Sequence, residues 1–191
     1  MALLTVEQRK TYFKELGLGE YNKTNILKFQ KMYMKREKDY DGLYGANTDA
    51  LLRSAYNVKK YTKNFKLEEF ACGCGGKYCT GYPVELSANL LKHLQTIRTH
   101  YGKSMKITSG LRCTGHNKQL SGSASTSRHL SGKASDFKIS GVTDTLAHRK
   151  TAIAYIRTLP NHRYTYGNGY NSNSVNVNAP NMGTALHTDV K

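Results

Sequence analysis

The chain of 191 residues has no tryptophan, few acidic residues and no long apolar run. Without tryptophan, fourteen tyrosines supply most of the aromatic bulk, so the cores should carry polar-tipped rings. No stretch approaches the ~18 apolar residues of a membrane-spanning helix, and a helical membrane span is not expected. Met1-Ala-Leu-Leu-Thr-Val-Glu lacks both a basic start and an apolar run, so no signal peptide is visible. The expectation is synthesis in a cytoplasm without an export signal of its own. In that reducing compartment four cysteines point to metal or free thiols before disulfides. A hydrophobic content of 38% lies below the usual globular share but above that of disordered chains. The chain should fold, as one medium domain or two small ones.

The shortage of acids sets the electrostatics. Thirteen Asp and Glu against 29 Lys and Arg leave a formal charge of +16. Residues 1–57 hold 10 basic and 7 acidic residues, whereas residues 58–191 hold 19 and 6. The second region should attract polyanions: nucleic acid, anionic membrane, or the teichoic acids and carboxylates of a bacterial wall. Charge alone does not choose among these.

Three short helices are expected over residues 5–57. Val6 to Leu16 is amphipathic and stops at Gly17-Leu18-Gly19. From about Thr24 to Met34, Ile26, Leu27, Gln30, Tyr33 and Met34 fall at helical spacing. Asp41-Gly42-Leu43-Tyr44-Gly45 reads as a turn, and Asn47 or Thr48 can cap a third helix carrying Leu51, Leu52 and Ala55. Residues 58–64, polar and lysine-rich, suit a linker. Beyond it a helix is expected from Pro83 to Tyr101, with Leu86, Leu90, Leu94, Ile97 and Tyr101 on one face and Gly102 as its cap. His93 and His100 on this helix read as surface or boundary residues. Met105–Ser109, Ala134–Ile139 and Leu186–Val190 read as strands, and Thr143–Leu159 as a helix ended by Pro160. The run from Tyr166 to Ser174 reads as a flexible polar loop that could rim a substrate cleft, although loops of this composition usually just connect. Helices interspersed with short strands imply an α+β fold: a three-helix domain over 1–57, then an α+β domain over 65–191 with a small antiparallel sheet.

The order Ile26-Leu27-x-Phe29-Gln30, Asp41-Gly42-x-Tyr44-Gly45, Thr48-x-x-x-Leu52 resembles the peptidoglycan-binding domain common in wall hydrolases. A generic three-helix bundle, using the same residues only for its turn and core, is the alternative.

The densest chemistry lies in Ser127-Arg128-His129-Leu130-Ser131-Gly132-Lys133-Ala134-Ser135-Asp136-Phe137. His129 and Asp136 are seven apart, with Gly132 between them where the chain can turn, so both side chains can converge on one ion. Imidazole nitrogen and carboxylate oxygen are good zinc ligands, and His187 is the best-placed third. Three protein ligands leave a fourth position for water, the catalytic arrangement. Ser127-x-His129-x-x-Gly132-x-Ala134-x-Asp136, followed by His187-x-Asp189, resembles the family of zinc D-Ala-D-Ala carboxypeptidases and endolysin peptidases. Ile107-Thr108-Ser109-Gly110-Leu111-Arg112 with Asn117, and Asn64-Phe65-x-Leu67-x-Glu69-Phe70, extend the resemblance over roughly residues 64–190.

The resemblance implies that His129, Asp136 and His187 hold one catalytic Zn²⁺. It implies that Arg112 binds a substrate carboxylate or the oxyanion, and that Ser127 supports the site through hydrogen bonds. The implied activity is hydrolysis of the peptide stem of peptidoglycan by an endolysin, with the L-Ala–D-Glu bond favoured. D-Ala-D-Ala carboxypeptidase activity and a non-catalytic zinc-containing wall-binding protein are the alternatives. The implied partners are peptidoglycan and anionic wall polymers, not nucleic acid, met by a monomer that leaves the cytoplasm through a holin pore. One departure stands out. Related enzymes often carry an acidic general base three positions before the last zinc-binding histidine, and here that position is Thr184. Among the six acids after residue 57, elimination leaves Asp189 as the base, with orientation of a ligand histidine as its other role. His116 and His162 are further candidates.

Cys72-x-Cys74, Cys79 and Cys113 form a second pattern. Four thiolates could close a structural zinc site. The spacing is not that of paired Cys-x-x-Cys motifs, and two disulfides or free thiols remain open readings. Bonding of Cys113 to the early loop would hold Arg112 in place.

Overall fold

A computed structural model describes residues 2–191. Its N-terminal part consists of α1 (Val6–Leu16), α2 (Lys23–Tyr33) and α3 (Ala46–Tyr61). The Thr5 hydroxyl accepts the Gln8 N–H while the Gln8 side chain accepts that of Thr5, a reciprocal box that starts α1. Of the expected motif residues, Ile26, Phe29, Gln30, Gly42, Thr48 and Leu52 turn inward, while Asp41 and Gly45 stay exposed. Gln30, 1% exposed, donates to the Asp41 carboxylate, the Leu43 carbonyl and the Thr48 hydroxyl, and accepts from the Asp41 and Gly42 N–H groups. These residues therefore hold the 41–45 turn against α2. Thr48 is occupied there, and α3 starts from Gly45 without a side-chain cap.

The expected linker begins inside a helix. Residues 58–61 are the last turn of α3, because Val58 is buried and Lys92 lies over the Tyr61 ring. α3 packs on α4 (Ala88–Tyr101), so one hydrophobic core runs through both halves of the chain. Asn57 donates to Glu85 and to the Leu86 carbonyl, and the Leu86 N–H donates to Ser54 Oγ. These bonds, with the Ser87 N–H on the Gly132 carbonyl, keep residues 83–87 out of the helix expected from Pro83. Local propensity gave way to tertiary hydrogen bonding.

Five antiparallel strands follow: β1 (Met105–Ser109), β2 (Ala134–Ile139), β3 (His162–Gly167), β4 (Tyr170–Asn171) and β5 (Leu186–Val190). Their order is β1-β2-β5-β3-β4, so the last strand in sequence lies in the middle of the sheet. The short α5 (Thr114–Asn117) follows β1, and α6 (Leu146–Ile156), capped by Thr145 and shorter than expected at both ends, packs beside α4 through the stacked rings of His100 and Tyr155. The segment read as a flexible loop from Tyr166 instead completes β3 and forms β4. His93 is likewise not at the surface: it is 4% exposed, with its Nε2 3.1 Å from Thr188 Oγ1 beneath α4. Helices cover this face of the sheet, and the opposite face lines a cleft. Among the described residues no helix is long and apolar enough to cross a membrane.

Candidate metal centre and its cleft

β5 alternates between the two sides, as the period of two requires. Thr188 faces α4, whereas His187 and Asp189 face the cleft. Asp136 of β2 is the register partner of His187, and Tyr166 of β3 pairs with it on the other side. His129 arrives from a 3-10 turn, Arg128–Ser131, that ends at Gly132 with φ +66°. A side chain at Gly132 would meet the Glu85 carbonyl oxygen, so both the backbone conformation and the space require glycine.

The three predicted ligands converge. His129 Nε2 lies 3.3 Å from His187 Nδ1 and 3.3 Å from Asp136 Oδ1, and His187 Nδ1 lies 2.8 Å from Asp136 Oδ1. A tetrahedral zinc with bonds of about 2.0–2.1 Å has ligand-to-ligand edges of about 3.3 Å. The triangle is thus close to one face of such a polyhedron, and its donor set suits zinc. His129 Nδ1 is 2.6 Å from the Gly110 carbonyl, which fixes the tautomer with the Nε2 lone pair toward the other donors. Burial would raise the Asp136 carboxyl, but its bonds to His129 and His187 outweigh this and hold it well below the usual carboxylate range. Burial would lower His187, but Asp136 and Asp189 outweigh it and raise the imidazole above its ordinary value.

Asp189, expected as the general base, sits on the far side of the His187 ring from the triangle. Its Oδ2 is 3.3 Å from His187 Nε2, and Arg163 Nη1 donates to both its oxygens at 3.0 Å. Arg163 reaches it because β3 carries one extra residue against β5 between His162 and Tyr164, a bulge that re-aims the side chain. Burial would raise the Asp189 carboxyl; His187 and Arg163 together lower it. Of the other base candidates, His162 bonds Thr165 at 3.0 Å on the helix-covered side, whereas His116 lines the cleft with its Nε2 near Gly73. Thr184 is absent from the cleft lining among the described residues.

Arg112 lies beside the triangle, with Nη2 3.9 Å from Asp136 Oδ2 and Nη1 donating to Asn117 Oδ1 at 3.2 Å. The cleft has a volume of about 880 Å³, and Ser127, Arg128, Arg163 and Tyr166 also line it. In the sequence Tyr166 only opens a polar run that could rim a cleft, and nothing there singles it out as a donor beside His187. Its ring centroid is 4.9 Å from that of His187. Burial, then the negative charge of Asp136, push its phenol above the ordinary value, which keeps it a neutral donor at physiological pH. Only strand pairing reveals it.

Two imidazoles and a carboxylate, one side of them open to a basic cleft on an antiparallel sheet, form a donor set of the kind that holds a catalytic metal. Residues 63–176 match the model of the Peptidase M15 family, more than half of the chain, and the protein belongs to that family. The match starts just past α3, contains His129 and Asp136, and stops before β5 and His187. The family's peptidases are zinc-dependent. The comparison with curated proteins returned no match.

Proposed function

We propose that the protein is a zinc peptidase that hydrolyses the peptide stem of bacterial peptidoglycan, as an endolysin acting at the L-Ala–D-Glu bond. The observation that carries the reading is the triangle of His129 Nε2, Asp136 Oδ1 and His187 Nδ1, with the cleft on its open side. His129, Asp136 and His187 would hold the zinc, which would supply Lewis acidity on the open side of the triangle. The chain's own groups do the rest. Gly110 holds His129 in the ligating tautomer, and Asp189, clamped by Arg163, orients His187 from behind. Arg112 offers a guanidinium fork to the developing oxyanion or to a substrate carboxylate. Tyr166 adds a neutral hydroxyl donor from the neighbouring strand. Arg128 and Arg163 at the cleft favour an anionic peptide, such as one bearing the free carboxylate of D-Glu.

The N-terminal helices are proposed to bind the wall and so raise the local substrate concentration. The support is the motif resemblance and a groove beside Lys10, Lys14 and Tyr21 on that part. Release from the cytoplasm to the wall belongs to the same reading.

A non-catalytic wall-binding role is favoured by one observation: both carboxylates in the cleft are engaged, Asp136 with the histidines and Asp189 with Arg163 and His187. Turbidity loss of purified peptidoglycan, measured with zinc content, separates the two. Zinc-dependent lysis with fragments bearing new D-Glu amino termini supports the endopeptidase. Release of D-Ala alone identifies a carboxypeptidase, and bound zinc without hydrolysis on walls from several bacteria selects the binding role.

A further inference from the structure

A second cluster lies apart from the cleft triangle. The sulfurs of Cys72, Cys74, Cys79 and Cys113 all lie within 4.8 Å of one another. None is in a disulfide, and Cys74 Sγ and Cys79 Sγ are 3.6 Å apart, far beyond the ~2.05 Å of an S–S bond. A tetrahedral ion with Zn–S bonds of about 2.3 Å has edges of about 3.8 Å, so this pair already stands at ligand spacing. Three backbone N–H groups point at the sulfurs: Cys113 N–H to Cys72 at 3.4 Å, Gly81 N–H to Cys79 at 3.4 Å and His116 N–H to Cys113 at 3.3 Å. Such donors stabilise thiolate charge around a metal. Cys72 and Cys113 are buried and the other two half-buried, which leaves no open ligand position of the kind the cleft offers.

We propose that these four cysteines hold a structural zinc ion whose role is to fix the active-site arginine and to dock the N-terminal helices. Four thiolates crowded together repel one another, and a dication with soft-ligand affinity and no redox chemistry cancels that repulsion. The site ties three parts of the chain together. Cys113 directly follows Arg112, and its sulfur caps α5, from which Asn117 accepts a hydrogen bond from the Arg112 guanidinium. The Cys72 N–H donates to the Gly81 carbonyl and closes the loop that carries the other two ligands. That loop rests on the end of α2: the Lys35 N–H donates to the Thr80 carbonyl at 2.8 Å, and a side chain at Gly76 would collide with the Lys35 carbonyl. The metal site is independent of the peptidase reading; only its consequence for Arg112 rests on that reading.

The test is metal stoichiometry on the full chain purified with zinc and reductant, with cobalt substitution as a second readout. Wild type is expected to carry two zinc ions per chain, and both His129→Ala and the double variant Cys74→Ser/Cys79→Ser one each. The cobalt form of His129→Ala should keep the intense near-ultraviolet thiolate-to-cobalt charge transfer, and the cysteine variant should lose it. If the cysteine variant fails to fold, mercurial titration of wild type should release one zinc as four thiols react. The cysteine variant, loaded at the cleft, should lose about ten- to a hundredfold in hydrolysis. A metal-free His129→Ala, an iron-coloured protein, or a native mass showing two disulfides would overturn the proposal. Two zinc ions without hydrolysis would instead overturn the peptidase reading and leave this one standing.

Discussion

The two faces of the sheet treat polar residues in opposite ways. Beneath the helices, Thr165, Thr188, His93 and His162 form a chain of neutral partners, with Thr165 and Thr188 hydroxyls 2.8 Å apart. Burial, reinforced by the neighbouring His162, pushes His93 down to about 4. On the cleft face, one residue away on the same strand, His187 is equally buried yet raised, because Asp136 and Asp189 flank it. The difference is charge: where carboxylates accompany the imidazole, burial strengthens their attraction; where they do not, burial favours the neutral ring. The group of donors close enough to share one ion, His129, Asp136 and His187, lies on the first kind of face.

The largest effect should come from the cleft face. His129→Ala should abolish wall lysis to the detection limit while the circular dichroism spectrum stays that of wild type, since the donor triangle loses a corner but the sheet does not. Retained lysis would remove this face from the chemistry.

On the covered face the expected effect is on stability. His93 protonates near 4 in the folded chain and near 6.5 when unfolded, so below 6.5 the unfolded state binds the extra proton. Its contribution is fully present above 6.5 and is lost as pH falls toward 4, up to about 3 kcal/mol. Urea unfolding at pH 7 and pH 5 measures it, and His93→Gln should flatten that part of the slope.

Asp189→Asn sharpens the contrast within the cleft face. Loss of the charge behind His187 should weaken zinc affinity or activity about ten- to a hundredfold, read by chelator competition beside lysis. Lost lysis with unchanged affinity would return Asp189 to the role of general base. Gly132→Ala is expected to leave the donor residues in place and act on stability, by about 1–3 kcal/mol from the strained φ together with a shift of the Glu85 segment, seen as a lowered Tm.

Much of this face was legible in the sequence. His129, Gly132 and Asp136 lie within one short segment whose turn and strand are local, and His187 stood in a strand of clear alternation. What that alternation could not show is that β5 enters between β2 and β3, and this insertion puts His187 across from Asp136. The places of Tyr166 beside His187 and of Arg163 against Asp189 had a related cause: one is set by register and the other by a bulge, and neither leaves a periodic trace. The helix expected from Pro83 failed because Ser54 and Asn57, some thirty residues earlier, claim the backbone there.

The sequence by itself determined the candidate donor residues, the glycine between them, the basic excess and the pattern of four cysteines, because these are matters of residue chemistry and short spacing. Only the tertiary structure decided that Asp189 stands behind His187 and that four thiols separated by up to 41 positions meet beside Arg112. Those outcomes depend on strand order and loop docking, which are set by packing between segments far apart in the chain.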